Sequence, residues 1–196
     1  MTEWPPPVDG DRSTITFEDH YGRRMAELVE PTTHLYSAWR AARDDWGAGT
    51  HEDGFGLLAA DAVETPDGFE TWVRRLQGEQ DSTYRWIVEG EDLLGAIALR
   101  HRLEDGALDV GQVGYGIRPS ARRRGLATWA LGQILATARA IGLHRVLIVC
   151  ADDNAASARV IERHGGVLEG VHNTALGPAR RYWVALGPPT VLLQSR

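Results

Sequence analysis

The chain has 196 residues, of which 43% are hydrophobic and 24% are charged, a composition typical of one globular domain with a sizeable core. Its formal net charge of -6 disfavours a protein that coats nucleic acid or an anionic membrane. The single cysteine, Cys150, excludes an internal disulfide framework and a multi-cysteine metal site, so we expect no bound metal and a reducing, cytoplasmic setting.

The first 24 residues predict a flexible arm, because they contain three consecutive prolines and lack the apolar core of a secretory signal. We expect a single domain over residues 25–196, with no membrane partner, since no stretch approaches the roughly 20 apolar residues of a membrane span. Residues 25–29 predict a short strand. Residues 32–46 predict an amphipathic helix, because apolar side chains recur there at intervals of three and four.

The next segment, residues 47–68, is rich in glycine and acidic side chains and is longer than most connections, which have about 4–6 residues. Asp44, Asp45, Glu52 and Asp53 make this region acidic. The acidic side chains are either an ordinary solvated loop or a feature that attracts a cationic amine as substrate. A second helix is predicted over residues 69–77, followed by an antiparallel hairpin of strands 84–89 and 93–101.

The second half of the chain predicts a βαβ unit with a strand over residues 108–117, a helix over 124–141 and a strand over 145–150. Gly142 suits the C-cap of this helix. In open α/β sheets, ligands bind beyond the carboxyl ends of such strands. The segment RPSARRRGLAT, residues 118–128, lies at that position and enters a helix N-terminus.

A helix start offers unpaired backbone N–H groups, and arginine side chains suit phosphate oxygens, so this segment predicts a pyrophosphate site. The segment lacks the G-K-[ST] ending of a nucleoside triphosphate loop. Gly111, Gly114 and Gly116 lie before and within the preceding strand, so they are not a dinucleotide fingerprint either.

Two motifs in the right order resemble the GNAT N-acetyltransferase superfamily. Arg122-x-x-Gly125-x-Ala127 resembles the family's acetyl-CoA motif, Q/R-x-x-G-x-G/A, and ADDNAASARVIERHGGVLEG, residues 151–170, resembles its N-x-x-[AS] helix and following turn. The pattern over residues 84–186 is similar to a bacterial branch of predicted acetyltransferases. The resemblance implies a GNAT fold of the α/β (mixed α+β) class, with a mostly antiparallel central sheet, flanking helices and a parallel βαβ unit at the acetyl-CoA site.

The resemblance also implies acetyl-CoA as cosubstrate and assigns roles around it. Backbone groups near Ile117 would hold the pantetheine arm and the acetyl carbonyl, and the N–H groups of residues 122–127 would cradle the pyrophosphate. Asn154 would meet the pantetheine arm, cap the following helix, or do both. The residues implied in cofactor binding are Ile117, Arg118, Arg122, Arg123, Arg124, Gly125, Leu126, Ala127, Thr128, Asn154 and Ser157.

The catalytic groups are less well defined by the sequence. Ile161 stands where many relatives carry a tyrosine that protonates the departing thiolate, so Ser157 or a water would have to supply that proton. His101 and Tyr115 are candidates for the base that deprotonates the amine, or they are a packed histidine and a sheet tyrosine. His34 and His51 are further candidates.

The resemblance places acceptor specificity in residues 47–56 and in Trp39, Trp46, Tyr182 and Trp183, although aromatic residues at helical spacing are more often core. Trp129 predicts packing or a partner surface. Cys150 is expected to be an inert buried thiol rather than an acyl carrier. The apolar tail, residues 188–194, either pairs with a second subunit in a homodimer or completes the domain.

The leading functional hypothesis is therefore an acetyl-CoA-dependent N-acetyltransferase that acts directly on a primary amine of a small molecule or protein. The alternative is an acyl-CoA-binding regulatory protein with weak or no catalysis, which the isoleucine at position 161 permits. A nucleic-acid binder that uses the arginine run is a third hypothesis, opposed by the net charge, and we expect no nucleic-acid partner.

Overall fold

The computed structural model describes residues 14–18, 22, 24–47, 54–103, 107–175 and 177–187. Eight strands form one sheet in the order β1-β2-β3-β4-β5-β6-β8-β7, and four α-helices flank it. The strands are β1 (Ile15–Glu18), β2 (Arg24–Val29), β3 (Ser82–Glu89), β4 (Asp92–Arg100), β5 (Val113–Ile117), β6 (Arg145–Ala151), β7 (Val167–Thr174) and β8 (Gly177–Ala185). The helices are α1 (Tyr36–Trp46), α2 (Pro66–Gly78), α3 (Leu126–Ala140) and α4 (Ala155–Arg163).

The sheet is mixed, because β5 and β6 pair in parallel and every other neighbouring pair is antiparallel. Helix α3 connects the parallel strands β5 and β6, so these three elements form the predicted βαβ unit. The predicted fold class is confirmed. The hairpin of β3 and β4 and the helix–strand unit of α3 and β6 lie within a few residues of their predicted bounds.

The prediction of a flexible arm is wrong for residues 15–18. Strand β1 pairs with β2, with Ile15 opposite Leu28, and Phe17 stacks on Trp129 with ring centroids 5.1 Å apart. The alternation of Ile15 and Phe17 was the available signal for this strand, and the prolines before it obscured that signal. Trp129 packs against the core, and residues 1–13 lie outside the described part of the chain.

The predicted strand over residues 108–117 is half as long in the structure. Residues Ala107–Asp109 form a 3₁₀ turn, and Gly111 has a φ of 72°, so β5 begins only at Val113. The predicted helix over residues 32–46 also begins with a 3₁₀ turn, Thr33–Leu35, in which the Thr32 side chain accepts from the His34 N–H. Local turns of this kind leave the pattern of apolar residues almost unchanged.

Two cores lie on opposite faces of the sheet. The α3–α4 core contains Ile134 and Ile161 from those helices and Ile148 from the sheet. The tryptophan core contains Trp39 of α1 and Trp72 of α2 and lies on β3 and β4. Helix α2 begins at Pro66, three residues before its predicted start, because the Thr65 hydroxyl accepts from the Gly68 N–H at 3.2 Å and Pro66 follows at the first helical position.

Candidate active site

The sheet opens between β5 and β6. These strands share one register pair, Val113 with Ile148, although β5 runs on beside β4 to Ile117 and β6 runs on beside β8 to Ala151. The two strands are therefore paired to other neighbours beyond Val113. We call the opening between residues 114–117 and 149–151 the gap.

Backbone groups of β5 face this gap. Arg118 N donates to Leu94 O at 2.9 Å and Arg100 N donates to Gln112 O at 2.7 Å, so even-numbered residues bond to β4. In an antiparallel pair the intervening residues point their N–H and C=O groups to the other side. The backbone of Ile117 therefore faces the gap, although its carbonyl already accepts from Arg122 Nε at 3.0 Å.

The loop between β5 and α3 has an unusual backbone. Arg123 has a φ of 63°, and it is the only non-glycine residue in the described part of the chain with a positive φ. A left-handed non-glycine residue costs roughly 1–3 kcal/mol and is typically found at ligand clamps. Arg122 is extended, with a φ of -67° and a ψ of 165°, so the backbone enters the left-handed region only at Arg123, directly before the N-terminus of α3.

The N-terminus of α3 is not capped by a side chain. Its N-cap is Gly125, with a φ of 81°, and no side-chain cap bond is made there. A Cβ at Gly125 would meet no atom within 4 Å, so the space in front of the helix is open. The first N–H groups of α3, those of Leu126, Ala127 and Thr128, fit the demands of a diphosphate at this position.

The arginines of this segment have different partners. Arg124 forms a two-armed ion pair with Glu89 at the end of β3, with Nη2–Oε1 at 2.9 Å and Nη1–Oε2 at 3.0 Å. The Arg124 guanidinium therefore ties the loop to the sheet, and the expected role of Arg124 at the cofactor stays a prediction that concerns its backbone N–H. Arg122 and Arg123 are exposed and lie at the open space.

Arg118 is also engaged within the protein. Its Nη1 donates to Leu93 O at 3.2 Å, and its Nε lies 3.2 Å from Asp45 Oδ2. The same carboxylate oxygen accepts from Ser120 Oγ at 2.6 Å and from Ser120 N at 3.2 Å. The Ser120 hydroxyl holds the pKa of Asp45 below its usual range, against an opposing effect of desolvation, and the Arg118 charge contributes further. The Arg118 side chain thus braces the loop, and its expected contact with the cofactor stays a prediction.

Asp45 is consequently not free to attract a cationic acceptor, as the acidic-loop interpretation requires. Asp44 is exposed. Glu52, Asp53 and His51 lie outside the described residues. The prediction of a cationic acceptor thus keeps little support from the described part of this region.

Three predicted site residues come together at the gap. The Tyr115 hydroxyl lies 2.7 Å from Ser157 Oγ, which joins β5 to α4. Asn154 Oδ1 accepts from Ser157 N at 3.0 Å, so Asn154 is the N-cap of α4. Cys150 lies beside Ser157, where burial raises the pKa of the thiol against the effect of the Ser157 hydrogen bond. Ile161 is fully buried in the α3–α4 core and offers no titratable group.

His101 lies beyond the end of β4 that is far from Ile117. Its Nε2 lies 2.8 Å from Thr83 Oγ1, and it follows the last residue of β4. Because β4 runs antiparallel to β5, Gly95 is opposite Ile117 and Leu99 is opposite Val113. His101 is therefore roughly 20 Å along the strand direction from the level of Ile117. The expectation that His101 serves as the base is wrong. It rested on β4 and β5 being neighbours and did not take into account that they run in opposite directions.

The remaining candidates divide between packing and the surface. Trp39 is fully buried, and Trp46 packs edge-on against Phe55 at 5.3 Å, so both serve the tryptophan core. Tyr182 is buried in the α3–α4 core, and its hydroxyl donates to Glu162 Oε1 at 3.1 Å. Trp183 lies on the opposite face of β8. His34 is exposed at the start of α1.

Sequence reasoning missed Arg181. Its Nη2 donates to Asp109 Oδ1 at 3.0 Å, and its side chain is only 14% exposed. Two consecutive arginines within the strand pattern ARRYWVAL were the available signal, because alternation places one of them on each face of the sheet.

Residues 59–167 match the family model of the acetyltransferase (GNAT) domain. The chain therefore belongs to the GNAT acetyltransferase family, and the predicted family and acyltransferase class are confirmed. No curated protein is a significant match to the sequence. No helix in the described part of the chain is long and apolar enough to cross a membrane.

Several solved structures share the fold. RimJ of Mycobacterium smegmatis, in complex with CoA-disulfide, superposes with a TM-score of 0.66 at 18% identity, over 82% of this chain and 81% of that chain. The microcin C7 self-immunity acetyltransferase MccE, in complex with acetyl-CoA and AMP, superposes with a TM-score of 0.60 at 18% identity, over 82% of this chain and 92% of that chain. An acetyl transferase of Salmonella typhimurium that modifies the N-terminal serine of ribosomal protein L7/L12 superposes with a TM-score of 0.60 at 17% identity, over 82% of this chain and 94% of that chain. The ligands of the first two agree with acetyl-CoA as the predicted cosubstrate.

Proposed function

We propose that the protein is an acetyl-CoA-dependent N-acetyltransferase that acts directly on a primary amine of a small molecule or a protein. The observation that carries this proposal is the uncapped N-terminus of α3 placed directly beside the gap between β5 and β6. The first feature suits the diphosphate of a CoA ester and the second leaves room for its pantetheine arm. Family membership supports the same reaction.

The residues that would hold the cosubstrate are the N–H groups of residues 125–128, the backbone of Ile117, and Asn154. When bound, acetyl-CoA supplies an acetyl thioester with a thiolate leaving group. The amine nitrogen forms a bond to the thioester carbon while the carbon–sulfur bond breaks; the nitrogen loses a proton and the sulfur gains one. A backbone N–H of β5 that faces the gap would stabilise the oxygen as negative charge develops on it.

Tyr115 suits the proton donor better than the base. Tyr115 and Ile117 pack against the α3–α4 core, so the intervening Gly116 faces the opposite side of the sheet. An acceptor that approaches from that side would reach the thioester from the face away from the Tyr115 hydroxyl. The Tyr115–Ser157 pair would then deliver the proton to the sulfur and replace the tyrosine that is absent at Ile161.

The alternative of an acyl-CoA-binding regulatory protein rests on the same Ile161. Turnover of acetyl-CoA across a panel of primary amines separates the two functions. Release of free CoA thiol together with acetylated amine supports the transferase. Tight CoA binding without transfer to any amine or peptide of the panel supports the regulatory protein.

The proposed CoA site is tested by Gly125→Glu, measured by calorimetric titration with CoA. We expect binding to be lost, because the new carboxylate enters the open space that the diphosphate needs. The matched control is Gly142→Glu at the other end of α3, where the glycine also has a positive φ and open space around it. Equal CoA affinity of Gly125→Glu and the control would contradict the assignment.

A further inference from the structure

No helix among the described residues packs on one face of the C-terminal third of the sheet. In the described part of the chain, the tryptophan core draws its strand residues from the β2–β4 side of the sheet and none from β6, β7 or β8. Helix α4 contacts β6 and β8 on the opposite face. We call the face of β6, β8 and β7 that lies away from α3 and α4 the open face.

Arg181 lies on this open face at the start of the gap. Tyr182 and Val184 point into the α3–α4 core, so the alternating Arg181 points the other way. Its register partner on β6 is Val149, the residue after Ile148, where β5 and β6 separate. Its guanidinium reaches Asp109, which precedes β5. The Arg181 side chain thus spans β6 on the side from which an acceptor would approach.

The hydrogen bonding of this arginine is incomplete. Arg181 Nε is buried and has no hydrogen-bond partner. His172 Nε2 on the neighbouring strand is also buried without a hydrogen bond, and Glu169 Oε2 lies 3.6 Å from it. Gly170 lies opposite Arg181, and a Cβ there would be 3.4 Å from His172 Nε2, so the imidazole lies beside the arginine stem. A charged donor that is buried without a hydrogen-bond partner is unfavourable, because it has lost its hydration without a replacement.

The neighbouring arginine shows the contrast. Arg180 points to the opposite face, and its Nε donates to Asp152 Oδ1 at 2.7 Å. Arg181 instead has one arm on Asp109, whose side chain is 47% exposed, and its Nε edge without a partner. A buried charged donor left unpaired next to a reaction site calls for a ligand group that completes it.

We propose that Arg181, assisted by His172, binds a carboxylate of the acceptor, so that the acceptor is a primary amine that also carries a carboxylate, as an amino acid does. This inference rests on the proposed transferase function and names its substrate class. The planar guanidinium can offer parallel N–H groups to the two oxygens of a carboxylate. Asp109 and Glu169, which lies 3.6 Å from His172 Nε2, limit the patch to a group of low charge.

The test compares acetyl transfer to straight-chain amino acids of increasing length with transfer to the matching amines that lack the carboxylate. We expect the wild-type protein to prefer one carboxylated length, because Arg181 lies at a fixed distance from the gap. Arg181→Gln should lower kcat/KM for that acceptor at least tenfold and leave kcat/KM for the amines that lack the carboxylate nearly unchanged. The matched control, Arg180→Gln, should preserve the preference for the carboxylate.

Three results would overturn the proposal. The first is that the wild-type protein acetylates amines with and without a carboxylate equally well. The second is that Arg181→Gln lowers kcat/KM equally for both classes of amine. A preference for diamines would instead favour the cationic acceptor predicted from the acidic segment. A thermal-shift titration of the CoA-saturated protein measures the same selectivity as binding, and it should show stabilisation by the carboxylated acceptor in the wild type but not in Arg181→Gln.

Failure of the transferase function is distinguishable from these outcomes. If no amine is acetylated while carboxylated amines still stabilise the wild type through Arg181, the proposed reaction is wrong and the carboxylate site stands. If amines are acetylated without regard to a carboxylate, the reaction stands and the site is wrong.

Discussion

At the scale of single residues, Asp45 connects the two sides of the active site. It belongs to α1 on the tryptophan-core side, yet its carboxylate holds Ser120 and Arg118 in the loop that leads to the α3 N-terminus. We expect Asp45→Asn to weaken CoA affinity several-fold, because the loop loses its charged anchor. Calorimetric titration measures this effect, and Asp44→Asn is the control, since Asp44 is exposed.

The Asp45 contact also has a defined pH dependence. Hydrogen bonds from Ser120 hold the pKa of Asp45 below its usual value. A carboxyl group whose pKa is depressed by folding stabilises the protein above its unfolded pKa of about 3.9 and loses that contribution as the pH falls through the folded value. The difference in melting temperature between wild type and Asp45→Asn should thus be constant from pH 5 to 8 and shrink only in more acidic solution. A difference that changes around neutral pH would contradict this assignment.

Cys150 is close enough to the gap to raise the question of an acyl-enzyme. Burial raises the pKa of its thiol, so the thiolate that would attack a thioester is scarce at neutral pH. We expect Cys150→Ala to retain most of the transferase activity and the wild type to show no acetylated enzyme by intact-protein mass spectrometry after mixing with acetyl-CoA. A stable acetyl adduct that disappears in Cys150→Ala would show a two-step mechanism instead.

At the scale of secondary-structure elements, Asn154 combines a cap with a candidate ligand contact. Its side-chain oxygen accepts from Ser157 N, and its amide nitrogen is the group that could meet pantetheine. Asn154→Ala should lower the free energy of unfolding by about 1 kcal/mol, the usual value of an N-cap. Asn154→Asp keeps the oxygen and should preserve stability, as measured by urea denaturation.

The two Asn154 variants separate the roles through CoA binding. Because Asn154→Asp removes the amide donor but keeps the cap, a weaker CoA affinity in this variant indicates a direct contact. Weaker affinity in Asn154→Ala alone would indicate that Asn154 acts only by holding α4 in place.

Elements and motifs were predicted well where the signal is local. The start of α3 at Leu126 lies two residues from its predicted position, and the Asn154 cap follows from a short motif that carries its own geometry. The beginning of β5 could not be predicted, since the 3₁₀ turn of Ala107–Asp109 and the positive φ of Gly111 leave the pattern of apolar residues almost unchanged. The contact between Asp109 and Arg181 was missed because it joins residues that are far apart in sequence. The ion pair of Arg124 with Glu89 was missed for the same reason.

At the scale of the whole molecule, the two cores share one sheet. Ile87 belongs to the α3–α4 core, whereas its neighbours Trp86 and Val88 belong to the tryptophan core. We expect the cores to unfold together for this reason. Urea denaturation followed by tryptophan fluorescence and by circular dichroism should give coincident transitions. A fluorescence change that precedes the loss of secondary structure would mean that the helices α1 and α2 open independently.

The sequence alone was sufficient for the family and for the side of the sheet on which CoA is expected, because both depend on motifs near residue 125 and residue 154. It was insufficient for placing His101. The sequence indicated that β4 and β5 are neighbours, but their antiparallel direction decides that Gly95, and not His101, lies beside Ile117. It also could not show that Arg181 shares a face with Asp109 and His172. Such positions depend on the strand order β6-β8-β7, in which neighbours along the chain are not neighbours in the sheet.

The single register pair between β5 and β6 has a consequence for amide hydrogen exchange. A sheet that is interrupted in its middle has interior strand edges that solvent can reach, where an uninterrupted sheet would have slowly exchanging amides. The Ile117 amide should exchange with deuterium much faster than amides of the β3–β4 ladder and should become protected when CoA is added. A ligand that restores this protection acts, in effect, as the missing length of strand.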